Sequence, residues 1–194
     1  CPPEAIREFC AAVGVTKYNG ITDIALLEHC VRDSLNKTAR RFMGVLNPLK
    51  LTIVNYPEDR CEFLDAVNNP EDLSAGTRKI PFSKNLLIER DDFQEIPHKK
   101  FYRLFPGSEV RLRYGYIVKC LECQKDPGNG EIINILCEYY PETRGGNAPE
   151  GKKIQGTIHW VSAGHARECE LRNYNRLFTT ENPEECEEGK DFII

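Results

Sequence analysis

The stretch GTIHWVSAGHA, residues 156–166, contains the only tryptophan of the chain, between two of its four histidines. In an extended segment alternate side chains lie on opposite faces, so Ile158 and Trp160 share one face and His159 lies on the other. The SAG tripeptide that follows is typical of a turn. No Ser-His-Asp order is evident around the histidines, and we predict no metal site there. We therefore interpret the stretch as a β-strand with Trp160 in the core, followed by a turn.

The neighbouring sequence contains further segments that are typical of strands. EVRLRYGYIVKCLECQKD, residues 109–126, alternates along its length, DPGNG is typical of a hairpin turn, and EIINILCEYY, residues 131–140, is the predicted return strand. Three more segments have strand patterns: LKLTIVNY (49–56), NLLIE (85–89) and RECELRNYNRLF (167–178).

Helical spacing is confined to the start of the chain. PPEAIREFCAAVG (2–14) and TDIALLEHCVRDSLNK (22–37) each predict a helix, and together they form a helical hairpin. Thr22 is the expected N-cap of the second helix. Helices first and many strands afterwards predict an α+β chain that ends in an antiparallel barrel or sandwich. The predicted buried stripe of the second helix is Ile24, Leu27, Val31 and Leu35.

Composition narrows the class of protein. Of the 194 residues 40% are hydrophobic and 29% are charged, which is ordinary for a globular chain. No apolar run reaches the roughly 18 to 20 residues of a membrane helix, and no secretory signal is evident. The nine cysteines have no regular spacing, which favours a reducing cytoplasm over a disulfide framework. Because the chain begins with Cys1 and its only methionine is Met43, we expect a fragment.

Two motifs that suggest chemistry are better explained structurally. CLEC, residues 120–123, lacks a second pair of ligands, and odd spacing in a strand places its sulfurs on opposite faces. TRGGN, residues 143–147, has glycines but no strand–turn–helix context, so we interpret it as a loop. The residues therefore predict no catalytic group and no metal site.

The net charge of −4 hides an uneven distribution. Residues 98–180 carry 13 basic and 9 acidic residues, whereas residues 181–194 carry six acidic residues and one basic residue. HKKFYRLFPGSEVRLRYGY, residues 98–116, interleaves basic and aromatic residues. Guanidinium groups can bond base edges and phosphates while rings stack on unpaired bases, so the segment suits single-stranded RNA. The alternative is a strand whose charged face is merely solvated.

Longer blocks carry a family resemblance. Six blocks resemble the C-terminal half of glutaminyl-tRNA synthetases in their sequence and in their order. The resemblance covers essentially all 194 residues. The eukaryotic-type and archaeal-type glutamyl-tRNA synthetases share this architecture and are the nearest alternative. The blocks are PEAIREFCAAVGVTK (3–17), RRFMGVLNPLKLTIVNYP (40–57), RKIPFSKNLLIERDDFQE (78–95), GSEVRLRYGYIVKC (107–120), KIQGTIHWVSAGHA (153–166) and NRLFTTENPEE (175–185).

The resemblance implies a class I enzyme that uses ATP and Mg²⁺ in a catalytic domain. The His-Ile-Gly-His and Lys-Met-Ser-Lys-Ser signatures of that domain are absent here, so no cofactor and no activity are expected of this chain alone. Residues 1–44 would be the helical subdomain, and residues 45–194 would be the anticodon-binding β-barrel region, truncated at its C-terminus, with an acidic end at 181–191. The implied partners are the anticodon stem-loop of tRNA(Gln) and the catalytic domain of the same parent chain, in a cytoplasmic monomer.

The resemblance also implies RNA-binding residues. Arg41 corresponds to an arginine that reads the anticodon, Asn36 lies a turn earlier, and Lys17 lies near the RNA backbone. Further bases would be read from the segment matching KKFYRL and from the two arginines of VRLR. Lys100 stands where glutamine is common, and because lysine only donates, its contact there could be to phosphate rather than a base. Arg40 replaces a usual proline. The full set is Lys17, Asn36, Arg41, Lys100, Arg103, Arg111 and Arg113.

A hypothesis from another class remains open. The chain could be a structural module that binds RNA no better than any weakly basic surface.

Overall fold

A computed structural model of the chain describes residues 1–18, 20–148, 153–175 and 177–178. Two helices come first, α1 (Pro3–Val13) and α2 (Ile24–Thr38). Short 3-10 helices span Leu73–Ala75 and Arg90–Asp92, and a kinked, partly 3-10 loop spans Pro141–Gly146, where Thr143, Arg144 and Gly145 have non-helical backbone angles. The strands of the described residues are β1 (Pro48–Ile53), β2 (Glu62–Val67), β3 (Thr77–Phe82), β4 (Asn85–Glu89), β5 (Glu109–Leu112), β6 (Ile117–Lys125), β7 (Ile132–Tyr139), β8 (Gly156–Ile158) and β9 (Val161–Ser162).

The predicted helical hairpin is confirmed, although its details differ. Asp23, not Thr22, is the N-cap of α2, and its carboxylate accepts a hydrogen bond from the Ala25 N–H at 2.9 Å. Of the predicted stripe, Leu27 and Val31 are half-buried, while Ile24 and Leu35 are 47% and 42% exposed. The prediction is wrong at the two ends of the stripe because α2 packs mainly on α1, which covers only part of its apolar face.

Seven strands form one sheet, in the order β8-β5-β6-β7-β1-β4-β9, and β2 pairs with β3 in a second, two-stranded sheet. The predicted order, with helices first and a β-barrel region after them, is confirmed. The sheet is mixed, however, because β1 pairs with β7 and β5 pairs with β8 in parallel. Hairpin turns predict antiparallel neighbours, but these two pairs join segments far apart in the sequence, so no turn specifies their direction.

β8 and β9 occupy the two edges of the large sheet, although only residues 159 and 160 separate them. β8 pairs with β5, and β9 pairs with β4. Two residues span only about 10 Å between the flanking Cα atoms, so the two edges must lie close together. The sheet is therefore strongly curled into a half-barrel.

Trp160 lies in the core, as predicted, and other aromatic rings surround it. Trp160 is 1% exposed, and its ring meets that of Phe82 edge-on at 5.0 Å between centroids. Phe82 also contacts Tyr56 and Tyr116 at 5.3 and 5.1 Å, so β3 of the small sheet packs on the large one. The Trp160 indole N–H donates to the Arg113 carbonyl at 3.0 Å, which satisfies its polar group within the core.

A half-buried carboxylate completes the contact between the two sheets. Glu62, on β2, accepts hydrogen bonds from the hydroxyls of Tyr56 and Tyr116 at 2.9 and 2.8 Å. Burial, with the bond to Glu62, raises the pKa of Tyr116 to about 12, so this hydroxyl remains a donor at neutral pH.

Four predictions about the strands fail in detail. The stretch around Trp160 is not one strand, because β8 ends at Ile158 and β9 begins at Val161 on the other edge of the sheet. Residues 109–126 are not one strand, because the chain turns at residues 113–115, where Tyr114 has φ 62°, and β6 folds back on β5. Cys120 and Cys123 do not lie on opposite faces, since a β-bulge between Cys120 and Glu122 shifts the register and both pack toward the core. Residues 167–175 contain no strand. The acidic end at 181–191 lies outside the described residues.

Glu89 connects the end of the helices to the sheet. Its carboxylate accepts the backbone N–H groups of Leu46 and Asn47 at 2.7 and 3.0 Å. Burial alone would raise the pKa of Glu89, but these two donors, together with His159, hold the pKa below its ordinary value. The segment that leads into β1 is thus anchored by a charged group.

We expect Trp160→Ala to lower the free energy of unfolding by about 3–5 kcal/mol, because it removes the central core side chain and the donor to Arg113. Urea denaturation followed by far-UV circular dichroism measures the change. Tyr174→Ala is the control, since Tyr174 is 87% exposed, and it should alter stability by no more than about 0.5 kcal/mol. A loss below about 1 kcal/mol for Trp160→Ala would contradict the assigned core.

Glu89 should make stability depend on acidity. Because its pKa is lower in the folded state than in the unfolded chain, its contribution is fully present above the unfolded value and is lost as pH falls through the folded value. Glu89→Gln removes this titration. The stability difference between the wild type and Glu89→Gln should therefore be larger at about pH 7 than at about pH 3 in urea denaturation. An equal difference at both pH values would show that the carboxylate is not held in this way.

Candidate nucleic-acid interface

The basic and aromatic segment 98–104 lies against the half-barrel. The Phe101 N–H donates to the His98 carbonyl at 3.0 Å, which closes a turn. Lys100 lies at the tip of this turn with φ 74°, an uncommon value for a residue other than glycine, and its side chain is exposed. The segment then crosses β8, because a Cβ atom added to Gly156 would lie 2.0 Å from the Tyr102 carbonyl oxygen.

Arg103 is fixed from behind by a buried carboxylate. Its guanidinium donates to Asp92, whose side chain is 5% exposed, while the side chain of Arg103 is 53% exposed. Burial raises the pKa of Asp92, and the charge of Arg103 opposes that effect. The second carboxylate oxygen of Asp92 has no hydrogen-bond partner among the described residues. Arg103 is therefore an anchored donor with half of its side chain open to solvent.

A cavity of about 440 Å³ lies beside Arg103. This volume is within the usual range of small-molecule sites. Its lining combines aromatic rings, cations, an amide and one carboxylate. The side chains that form it include Phe101, Tyr102, Arg103, Phe105, Glu109, Lys153 and Gln155. Rings with guanidinium and amide groups are the combination that binds an unpaired base.

The sequence analysis missed Lys153 and Gln155. Both precede β8 in the segment GKKIQG, where a basic and an amide residue alternate with Ile154. This alternation is typical of a strand with a polar face, but it does not indicate that the segment lies opposite residues 101–105.

Arg111 lies in β5, and Arg113 begins the turn between β5 and β6. The Nε–H of Arg111 donates to the carbonyl of Gly146. Among the described residues, the hydrogen bonds that hold Arg113 come from its backbone, whose N–H donates to the Ile158 carbonyl at 2.9 Å and whose carbonyl accepts from the Trp160 indole N–H. Its exposed side chain lies over the ring of Tyr114, with 6.0 Å from the guanidinium carbon to the ring centroid.

Asn36 and Arg41 come together at the end of α2. The Arg41 guanidinium donates to the backbone and side-chain oxygens of Asn36 at 3.3 and 3.2 Å and lies 3.7 Å from the Glu71 carboxylate. Asn69 joins this cluster to the loop after β2 by donating to Asn36 and Lys37. Lys17 is exposed in the connection between the helices.

The structure therefore brings some of the expected residues together and not others. Lys100, Arg103, Arg111 and Arg113 lie on adjacent segments of the half-barrel, around β5 and β8. Within the residues described, no hydrogen bond or ion pair connects them with Arg41 or Lys17. Arg41, Arg103 and Arg111 each have an internal partner, so they are held side chains rather than free ones.

A second cavity, of about 260 Å³, is lined by Phe42, the residue that follows Arg41 in the sequence. Phe42 is 76% exposed at its rim, and the Arg78 guanidinium carbon lies 5.3 Å from the centroid of its ring. No local pattern predicts this pair, because Arg78 belongs to β3 and reaches Phe42 only in the folded chain.

In the described ranges, no three His, Cys, Asp or Glu side chains are placed to hold a metal ion. The helices in those ranges are too short or too polar to cross a membrane.

Comparison with known proteins identifies the family. Residues 39–140 match the profile of a family described as tRNA synthetases class I (E and Q), anti-codon binding domain, and residues 157–194 match a second profile with the same description.

Curated proteins named glutamine–tRNA ligase are similar to nearly the whole chain. The protein from Bradyrhizobium diazoefficiens is 53% identical over 183 residues, which are 94% of this chain and 33% of that protein. The protein from Rhodopirellula baltica is 51% identical over 191 residues, or 98% of this chain and 32% of its own length. The protein from Clostridium kluyveri is 48% identical over 186 residues, or 96% of this chain and 33% of its own length.

The chain thus spans about a third of the length of these relatives. The first family profile alone covers more than half of the chain, and the relatives confirm the resemblance to glutaminyl-tRNA synthetases. The chain therefore belongs to the anticodon-binding domain family of the class I tRNA synthetases (E and Q).

Proposed function

We propose that this chain recognises the anticodon stem-loop of tRNA(Gln) for an enzyme that attaches glutamine to that tRNA. The observation that carries the proposal is the cavity beside Arg103, where aromatic rings, cations and an amide surround a guanidinium that is anchored from behind. The names of the relatives favour glutamine over glutamate.

Anchoring suits the recognition of unpaired bases. An arginine whose position is fixed before binding loses less conformational freedom when it meets a base than a free side chain does. Asp92 supplies this constraint for Arg103, and Gly146 supplies it for Arg111. Bases unstacked from the loop would stack on Phe101 or Tyr102 while these guanidinium groups donate to base edges.

The remaining cations have a different proposed role. Lys17, Lys100 and Arg113 are exposed, and a mobile exposed cation suits phosphate contacts that position the RNA. Arg41, with Asn36, would contact the loop from the helical side. Residues 1–44 would be the helical subdomain, and residues 45–194 would form the anticodon-binding region.

The chemistry of charging is proposed for the rest of the parent protein. There, a catalytic domain would bind ATP and Mg²⁺, and this chain would dock on it. Anticodon binding could then affect turnover as well as affinity, because remote binding energy can position the reacting end of the substrate. The chain alone is proposed to have no ligase activity. We further propose a cytoplasmic monomer.

A structural module with non-specific RNA affinity is the second candidate. The net charge of −4 and the internal partners of Arg41, Arg103 and Arg111 favour it. The two candidates differ in whether a change of anticodon sequence alters binding.

Arg103→Lys provides the first test. Lysine keeps the charge opposite Asp92 but lacks the planar fork that bonds a base edge. In the full-length protein that carries this chain, we expect discrimination between the cognate and altered anticodons to fall about 5- to 150-fold, equivalent to 1–3 kcal/mol, as measured by kcat/KM with tRNA transcripts.

Arg60→Lys is the matched control. Arg60 is 52% exposed and pairs with Glu62, which is 12% exposed, much as Arg103 pairs with Asp92. The Arg60→Lys variant should leave discrimination between the cognate and altered anticodons unchanged. Equal discrimination by Arg103→Lys and Arg60→Lys would favour the structural module.

Salt dependence provides the second test. Lys100→Ala should weaken binding to cognate and altered anticodon stem-loops by a similar factor and should make the negative slope of log K against log salt shallower by about 0.7. Filter binding of the full-length protein at several salt concentrations measures both quantities. Lys79→Ala serves as the control, because Lys79 is already paired with Asp65 at 2.8 Å. A selective loss for one anticodon would instead assign a base contact to Lys100.

A further inference from the structure

The loop after β7 is held at several points. Thr143 is 1% exposed, and its hydroxyl accepts the Ile117 N–H at 2.9 Å and donates to the Tyr140 carbonyl at 2.7 Å. The Arg144 guanidinium donates to the Phe63 carbonyl at 3.2 Å, and its Nε lies 3.5 Å from the half-buried carboxylate of Glu62. The loop is therefore attached both to β6 and to the small sheet, which gives it a defined position.

Two glycines follow in this loop, and both have positive φ angles. The values are 82° at Gly145 and 81° at Gly146. A side chain at either position would strain the backbone. Their surroundings differ, however. A Cβ atom at Gly145 would meet nothing within 4 Å, whereas a Cβ atom at Gly146 would lie 2.7 Å from Cδ and 2.9 Å from Cγ of Arg111.

Gly146 therefore contacts Arg111 in two ways. Its carbonyl accepts the Nε–H of Arg111, and its missing side chain leaves the space through which the aliphatic stem of Arg111 passes. Because Nε is engaged by the protein, the two terminal amino groups of the guanidinium are the donors that remain. In the described part of the chain these two groups have no hydrogen-bond partner.

We propose that Gly146 is a positioning residue for anticodon recognition, which holds the Arg111 guanidinium in the orientation that presents its terminal amino groups to a base. This inference rests on the proposed function of Arg111. The loop thereby acquires a role that its glycine content alone does not indicate, since Gly145 and Gly146 share a backbone conformation and only one of them touches the arginine.

The chain offers a matched pair of variants for the test. In the full-length protein, Gly145→Ala and Gly146→Ala both introduce backbone strain at nearly the same φ angle, but only Gly146→Ala displaces Arg111. We expect Gly145→Ala to retain anticodon discrimination, measured as kcat/KM for tRNA transcripts that differ at each anticodon position. Gly146→Ala should lose discrimination at the same anticodon position as Arg111→Ala, within about threefold of its effect.

A double variant separates positioning from general damage. If Gly146 acts through Arg111, then Arg111→Ala combined with Gly146→Ala should discriminate no worse than Arg111→Ala alone. Additive losses, or equal losses for Gly145→Ala and Gly146→Ala, would overturn the inference. The thermal midpoint of each variant, measured alongside, reports backbone strain and should fall for both glycine variants.

A measurement without substitution in the loop covers the case in which Gly146→Ala does not fold. In the wild-type protein, the Arg111 Nε–H should exchange with solvent more slowly than the Arg113 Nε–H, as observed by NMR of the arginine side chains. Equal exchange rates for the two Nε–H groups would show that Gly146 does not hold Arg111, and would overturn the inference. If the Arg111 Nε–H exchanges slowly but Arg111→Ala leaves discrimination unchanged, Gly146 does hold Arg111. In that case both the proposed role of Arg111 and the positioning role of Gly146 are wrong.

Discussion

The half-barrel depends on one short segment that pairs at both edges of the same sheet. β8 and β9 are separated by two residues, and they complete opposite edges next to β5 and β4. A flat seven-stranded sheet would hold its edges several strand widths apart, about 4.8 Å for each strand, so only a curled sheet satisfies both pairings. Trp160 lies at the junction and fills the interior that the curling creates.

The loops that carry the candidate RNA-binding residues are positioned by that junction. The indole N–H of Trp160 bonds the carbonyl of Arg113, and the backbone of Arg113 bonds Ile158. The turn after β5 is thus attached to β8, and β8 in turn lies beneath the segment that leads to Arg103. Arginines on such supports keep their geometry better than arginines on free loops.

Protein acceptors recur behind the arginines, and the side-chain exposure of the carboxylates among them ranges from 5% for Asp92 to 51% for Glu71. Asp92 pairs with Arg103, Gly146 bonds Arg111, Glu71 lies beside Arg41, and Glu62 lies beside Arg144. The net negative charge of the chain is therefore compatible with an RNA-binding surface, because part of the acidic content orients arginines instead of repelling a polyanion. An arginine can bond an internal acceptor and an RNA base at the same time, because its planar group carries five donors and one partner engages only some of them.

The sequence by itself determined the helical hairpin, most of the strands and the burial of Trp160, because periodicity and turn residues act over a few neighbouring positions. Blocks of sequence also identified the family and the candidate arginines. Tertiary structure decided what local patterns cannot contain: the parallel pairings of β1 with β7 and β5 with β8, and the bulge that brings Cys120 and Cys123 to one face. It also decided which partner holds each arginine, since Asp92, Gly146 and Glu71 meet their arginines only when distant segments pack, and the energy of those contacts depends on the folded chain as a whole.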